Sequence, residues 1–161
     1  MTPKIFLDTT YLLPLFGFDI MLEKKDENKL LKIIDNLKPL ISSLSILESK
    51  WKVLHFSKKN KALLERYPRV LQFITLSGKF QIIHFYDYRI DTLATEIYEI
   101  HKDYIDCSIL ATAVYNATVL LTEDSKIREL GEIVKKRDLL PSQSKKIFKV
   151  MSITEYKFDA L

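Results

Sequence analysis

Apolar residues along this chain fall into two patterns that alternate from one end to the other. Short continuous apolar runs, rich in β-branched and aromatic residues, are typical of strands buried on both faces. Between these runs, apolar residues recur at helical spacing. Strands that alternate with helices indicate a parallel sheet covered on both faces. We therefore expect an α/β fold, a three-layer α/β/α sandwich around a central, mostly parallel sheet of four to five strands, in a single domain over residues 1–161.

The predicted elements can be placed along the chain. The strands are expected at residues 5–7, 40–41, 80–85, 118–121 and 147–151, and the longer helices at 28–37, 45–56, 62–76, 89–100 and 104–116. A short helix capped by Thr9 or Thr10 should end at Gly17, and another should run from Thr122 to Gly131. The helix at 104–116 is apolar almost all round, which is typical of a buried helix.

Two helices carry further local signals. In the helix at 45–56, Ser45 and Glu48 have the spacing of a capping box. Its apolar residues are expected to face the core: Ile46, Leu47, Trp51 and Leu54, with His55 as a further candidate. In the helix at 62–76, Pro68 predicts a break or kink, because proline lacks the backbone donor. Gly78 is expected to end that helix.

Composition and charge limit the partners, the kinds of site and the cellular compartment that can be expected. The chain has 25 basic and 21 acidic residues, a mild excess that is compatible with a polyanionic partner without demonstrating one. Cys107 is the only cysteine, so no intramolecular disulfide and no cysteine-based zinc site is possible. No apolar run approaches the length of a membrane-spanning helix, and no signal peptide is evident. We expect a soluble cytoplasmic protein.

Several acids lie where strands end and helices begin. Asp8 and Asp124 each follow a predicted strand, while Asp103 and Asp106 stand at the head of the buried helix. Every one of them has a purely structural explanation as a helix cap. Their co-location does not decide the question, because all helix caps that follow parallel strands share one edge of the sheet. That edge is also where ligands bind in open α/β folds.

The position of Asp106 indicates a role beyond helix capping. It enters a helix that is otherwise apolar, and an unpaired buried charge costs several kcal/mol. That helix contains no lysine or arginine, so we expect either a cation from elsewhere or a metal ion beside it. Several carboxylates that converge at one edge would form an oxygen-only site suited to Mg²⁺ or Mn²⁺. The three histidines have no ligand spacing and are interpreted as ordinary residues at the surface or the edge of the core.

Four segments together resemble the PIN domain family of metal-dependent ribonucleases, particularly the VapC-type toxins. They read KIFLDTTYLL, SLSILESKW, DYIDCSILATA and TVLLTEDSKI, and they span almost the whole chain. The resemblance places Asp8, Glu48, Asp106 and Asp124 on the acidic positions that hold one or two divalent ions, and Thr122 on the hydroxyl position beside them. Asp103 is either an additional outer ligand or a cap. The contributions of Thr9 and Thr10 stay open.

The resemblance implies a metal-dependent endoribonuclease that uses Mg²⁺ or Mn²⁺. It also implies, for a toxin role, a small antitoxin partner and a homodimer, with no membrane contact. The alternative is a non-catalytic PIN-like module that binds RNA or protein, in which the acids are only caps. An aspartyl-phosphate enzyme that uses Asp8 is disfavoured, because Thr10 stands where the haloacid-dehalogenase pattern has a second aspartate.

Overall fold

The core of the molecule is a five-stranded sheet in which every strand pairing is parallel. The computed structural model describes residues 3–145 and 147–157. The strand order is β3-β2-β1-β4-β5, with β1 in the centre. In β1, Phe6 lies level with Leu40 of β2 and Leu120 of β4. The strands are β1 (Ile5–Leu7), β2 (Leu40–Ser42), β3 (Gln81–Ile83), β4 (Val119–Leu121) and β5 (Lys149–Met151).

Seven α-helices and one short 3-10 helix, at Thr9–Tyr11, connect the strands within the described residues. None of these helices is both long and apolar enough to cross a bilayer. The α-helices are α1 (Leu13–Phe16), α2 (Lys24–Leu37), α3 (Ser43–Ser57), α4 (Lys61–Leu76), α5 (Tyr88–Tyr98), α6 (Tyr104–Asn116) and α7 (Ser125–Lys136).

Two apolar layers cover the two faces of the sheet. Successive strand residues point to opposite faces, so Ile5 and Leu7 join one cluster while Phe6 joins the other. The first cluster is completed by buried residues of α1, α2 and α4, and the second by those of α5, α6 and α7. The predicted three-layer α/β/α architecture is thereby confirmed, as is the burial of α6.

The face that α3 buries was predicted incorrectly except at Ile46, which is partly buried and packs against the first cluster. Leu47, Trp51, Leu54 and His55 are exposed, and α3 instead buries Leu44, Ser45, Ser49 and Val53. Small serine side chains allow this helix to pack closely against its neighbours, so the contact face is not the most apolar one. The stripe of large apolar residues on α3 is left facing solvent.

The capping box at Ser45 and Glu48 was also wrong. The helix begins two residues earlier, at Ser43, and its N-cap is Ser42, whose Oγ accepts a hydrogen bond from the Leu44 N–H at 3.1 Å. Ser45 is therefore already inside the helix, where it is fully buried. Glu48 lies in the second turn and makes no capping contact.

Three other boundaries differ from the predicted ones. The helix α2 begins at Lys24 rather than Asn28, because the charged cluster at 23–27 forms its first turn. Pro68 does not break α4. Both Pro68 and Leu64, whose carbonyl loses its helical partner, lie on the solvent side, so water can satisfy that carbonyl. The predicted end of the last helix at Gly131 was wrong, because α7 continues to Lys136. A Cβ at Gly131 would come within 2.6 Å of Val150 Cγ2, so glycine lets this helix approach β5.

The predicted cap of the first helix was wrong, whereas the two helix ends predicted at glycines were confirmed. Asp8, rather than Thr9 or Thr10, caps the 3-10 helix, and α1 ends at Phe16 with Gly17 in the left-handed region, at φ 98°. Gly78 follows the end of α4 with φ 71°, as predicted.

Candidate functional site

The carboxyl ends of β1 and β4 bring two of the predicted site residues together. Asp8 directly follows β1, and its backbone N–H donates to the Leu121 carbonyl of β4 at 3.0 Å. Thr122 is the next residue after β4, so the ladder between these central strands places the Asp8 and Thr122 side chains side by side. Glu48 on α3 is close enough for its charge to act on Asp8.

Asp8 is buried, at 3% exposure, and all of its hydrogen bonds come from neutral groups. Its Oδ1 accepts the Thr9 N–H at 2.7 Å. Its Oδ2 accepts two hydroxyls, those of Thr10 at 2.9 Å and Thr122 at 2.8 Å. The Thr10 side chain therefore belongs to the site, whereas the Thr9 hydroxyl is buried without a partner among the described residues.

The electrostatics of Asp8 follow from this setting. Burial raises the pKa of its carboxyl from the ordinary 3.8 to about 6, and the charge of Glu48 adds to the increase. The hydrogen bonds from Thr122, Thr10 and Thr9 lower the pKa but do not outweigh burial. No lysine, arginine or histidine among the described residues pairs with Asp8. Its charge is thus uncompensated, and a bound cation would supply what the protein does not.

Thr122 connects Asp8 to Asp124. Its hydroxyl donates to Asp8 Oδ2 and accepts the Asp124 N–H at 3.0 Å. Asp124 is the N-cap of α7, where its Oδ1 accepts the Lys126 N–H at 2.7 Å. Since Thr122 is fully buried, this pair of bonds fixes the position of the chain at the end of β4.

Asp106 has a partner that was not anticipated. Its Oδ2 lies 2.9 Å from Nε2 of His101, in the connection between α5 and α6. The main chain of His101 is held as well, because the Cys107 Sγ–H donates to its carbonyl at 3.1 Å. A hydrogen-bond partner from outside α6 therefore lies beside Asp106, and the metal ion expected there stays a prediction. The sequence did not predict this contact, although His101 is half-buried, as expected for a residue at the edge of the core.

The pKa of Asp106 reflects its neighbours. Burial raises it, and the negative charges of Asp103 and Asp124 raise it further, against the hydrogen bond from His101. Asp103 and Asp124 are therefore close enough for their charges to act on Asp106. Asp103 is the N-cap of α6 and accepts the backbone N–H groups of Ile105 at 3.0 Å and Asp106 at 3.4 Å.

Glu48 is engaged by a neighbour on its own helix. Its Oε1 forms an ion pair with Lys52 Nζ at 2.9 Å, one turn further along α3. Lys52 is thus a second residue at this edge that was not predicted. The spacing of four residues between the two would have indicated the pair.

The donor chemistry suits a hard divalent cation, because the acids present only oxygen ligands and the buried Asp8 carboxylate has no cationic partner. The side chains, however, are turned toward protein partners. Across residues 3–145 and 147–157, no three acidic, histidine or cysteine side chains are arranged to hold one ion. Lys52 contacts one oxygen of Glu48 and His101 contacts one oxygen of Asp106, so each of these carboxylates keeps a second oxygen for an ion.

Together these features define a class of protein. It is an α/β/α protein in which buried and half-buried carboxylates lie at the carboxyl edge of a parallel sheet. The PIN domain model matches residues 5–133, and the chain belongs to the PIN domain family. All four predicted acids lie within the matched range. PIN domains are usually nucleases, and such nucleases generally use divalent metal ions. Among curated proteins, none matches this chain.

Proposed function

We propose that this protein is a metal-dependent endoribonuclease that hydrolyses RNA phosphodiester bonds. The observation that carries the proposal is the buried Asp8 carboxylate, whose hydrogen-bond partners are all neutral and on which the charge of Glu48 acts. A carboxylate that only caps a helix has no need to be buried away from every cation, since such burial raises its pKa and opposes ionisation. A site that binds a cation does need such a charge.

In this proposal Asp8, Glu48, Asp106 and Asp124 hold Mg²⁺ or Mn²⁺, with Asp103 as a further, outer candidate. When bound, such an ion polarises phosphoryl oxygens and lowers the pKa of a water molecule. The protein contributes the positions of the acids. Thr122 and Thr10 orient the Asp8 carboxylate, Thr122 fixes the chain at Asp124, and His101 holds one oxygen of Asp106.

A toxin role is the narrower form of the proposal. The VapC-type resemblance of the four motifs supports it, and it implies a small antitoxin protein, a homodimer and action in the cytoplasm on cellular RNA. The single cysteine is consistent with a reducing compartment. The test of this narrower role is whether expression arrests growth and whether a small co-expressed partner relieves the arrest.

The alternative is a non-catalytic PIN-like module that binds RNA or protein. It is favoured by the protein partners that Glu48 and Asp106 already have, and by the lack of a formed ligand group in the described part of the chain. Calorimetric titration with Mn²⁺ distinguishes the two functions. The nuclease should bind the ion and Asp8→Asn should not, whereas the module should show no binding in either protein.

The direct test is cleavage of a mixed RNA pool with and without Mg²⁺ or Mn²⁺. Asp8→Asn and Asp106→Asn should abolish metal-dependent cleavage. Asp87→Asn is the matched control, because Asp87 is also an aspartate N-cap, on α5. The first turn of α5 lies beside Tyr115, because the Arg89 guanidinium is 5.7 Å from the centre of the Tyr115 ring. Tyr115 is about 13 Å along α6 from Asp106, which separates Asp87 from the proposed site. Unchanged cleavage by Asp8→Asn and Asp106→Asn would refute the proposed site.

A further inference from the structure

A large aromatic side chain is exposed next to the proposed site. Trp51 on α3 is 51% exposed, although it is the only tryptophan in the sequence and apolar burial would favour its packing inside. The buried side of α3 is filled by serines and Val53, so the indole is excluded from the core by the way the helix docks. An exposed tryptophan with an accessible ring face can bind a ligand.

The helix relates Trp51 directly to the site. Residues three and four apart on an α-helix are surface neighbours, with about 5–6 Å between their Cβ atoms. Trp51 and Lys52 stand three and four residues after Glu48, and Lys52 contacts the Glu48 carboxylate at 2.9 Å. His55, a further turn along, is exposed, and its ring is 4.9 Å from that of Phe56. The face that carries a proposed site acid therefore continues as an indole, an ammonium and an imidazole.

The charge of this segment selects the kind of ligand. Between Glu48 and Glu65 the chain contains five lysines and no acid. Lys58 and Lys59, at the end of α3, are exposed and follow the same direction away from Glu48. A polyanion that leaves the acidic edge would meet cations along this helix. Aromatic rings interleaved with cations are the usual means of binding single-stranded nucleic acid.

We propose that Trp51 is a stacking platform for an unpaired base of the RNA, next to the phosphate that is cut, and that Lys52 and His55 contact the adjoining phosphates. We call the surface formed by Trp51, Lys52 and His55 the α3 platform. This inference rests on the proposed nuclease function and names the residues that would bind the RNA beside the cut. The competing occupant is a second copy of the chain, because Leu47 and Leu54 are also exposed beside Trp51.

The single tryptophan makes the experiment specific. In EDTA, which separates binding from cleavage, a single-stranded oligoribonucleotide should quench the tryptophan fluorescence of the wild type saturably, and the matching duplex should not. A fluorescein-labelled strand gives affinities by anisotropy for proteins that lack tryptophan. Trp51→Ala should weaken binding roughly five- to hundredfold, the range for loss of one stacked base. Trp51→Phe should retain most of the affinity, because it keeps a ring face.

The control variant is Leu76→Ala, which removes a side chain that is 74% exposed at the far end of α4, just before β3. It should bind as the wild type does. Lys52→Ala should reduce the dependence of affinity on salt by about one phosphate contact.

Three results would overturn the α3 platform. If the wild type cleaves RNA but Trp51→Ala binds as tightly and no quenching occurs, the platform is wrong and the nuclease stands. If fluorescence changes with protein concentration alone, and Trp51→Ala turns a dimer into a monomer without loss of RNA affinity, a second copy occupies this face. If the wild type neither binds nor cleaves RNA, the proposed function fails and the platform fails with it.

Discussion

Replacing Asp8 by Asn should stabilise the protein at neutral pH in the absence of metal. The asparagine Oδ1 can still accept the Thr9 N–H, and its amide group can donate to the Thr10 or Thr122 hydroxyl, each of which is able to accept. The substitution therefore keeps the shape and most of the hydrogen bonds. It removes the buried, uncompensated charge.

The magnitude follows from the pKa of Asp8. In the unfolded chain this carboxyl titrates near 3.8 and in the folded protein near 6, so between those values the folded state binds more protons. The contribution of Asp8 to the stability of the wild type must then fall as the pH rises from about 4 to about 6, and this contribution should be constant above that range. Two pKa units correspond to about 3 kcal/mol. For a chain of this length, that is roughly 6–12 °C in melting temperature.

The assay is thermal and urea unfolding of both proteins at pH 4, 5, 6, 7 and 8 in EDTA. Below pH 4 the two should be nearly equal, and above pH 6 Asp8→Asn should be the more stable by the full amount. Asp87→Asn is a control of opposite sign. The Arg89 side chain lowers the pKa of Asp87, so Asp87 adds stability above pH 3.8 that is lost as the pH falls through its folded pKa.

A difference between wild type and Asp8→Asn that does not change with pH would refute the reasoning, because it would mean that the charge of Asp8 costs nothing. Destabilisation at pH 7 would show that hydrogen bonding to the carboxylate matters more than burial. If the reasoning holds, addition of Mn²⁺ should make the wild type the more stable of the two proteins, since an ion that binds only the folded wild type stabilises it by mass action.

Two further predictions concern residues that position the edge and the sheet. His101→Ala should reduce Mn²⁺ affinity, measured by calorimetry, and RNA cleavage roughly 10- to 100-fold, as is usual for partners that hold metal ligands. His101→Gln keeps an N–H donor near Asp106 and should restore most of both, and equal loss in the two variants would remove the role of the hydrogen bond. Gly131→Ala should cost about 1–3 kcal/mol of unfolding free energy in urea, because its methyl group overlaps Val150. Adding Val150→Ala should recover part of that loss, and if the two substitutions are additive the overlap is not the cause.

The architecture was predictable because it follows from the local pattern of apolar and polar residues. The three residues of β1 are all buried, and α6 is apolar on every side, so each element carries its own burial signal. A sheet built of such strands must be covered on both faces. The parallel direction of the strands then follows from the helices that connect them.

The orientation of α3 was not predictable in this way. Its apolar stripe and its buried face are different sides of the same helix. Which side docks depends on how closely neighbouring backbones approach, and serines at 45 and 49 permit an approach that Leu47 and Trp51 would block. A rule that turns the largest apolar residues inward fails where a face of small residues fits better.

The partners of the acids depend on tertiary contacts as well. His101 has no helical relation to Asp106, and it reaches the carboxylate only because the connection between α5 and α6 is short and its carbonyl is held by Cys107. Nothing in residue type or spacing distinguishes this histidine from His84, which is exposed. The places where strands end predicted the positions of Asp8 and Asp124, but nothing in the sequence predicted the contact of His101 with Asp106.

Capping and ligand binding, treated as alternatives from the sequence, are compatible in the structure. Asp124 caps α7 through Oδ1, and its Oδ2 has no hydrogen-bond partner among the described residues. Asp8 caps the 3-10 helix through Oδ1, which leaves Oδ2 to the threonine hydroxyls. A cap fixes the carboxylate at the helix start, and this is how the fold can bring a charge to the edge. Asparagine caps a helix as well as aspartate does, so Asp→Asn substitutions preserve the cap, remove the charge and separate the two roles.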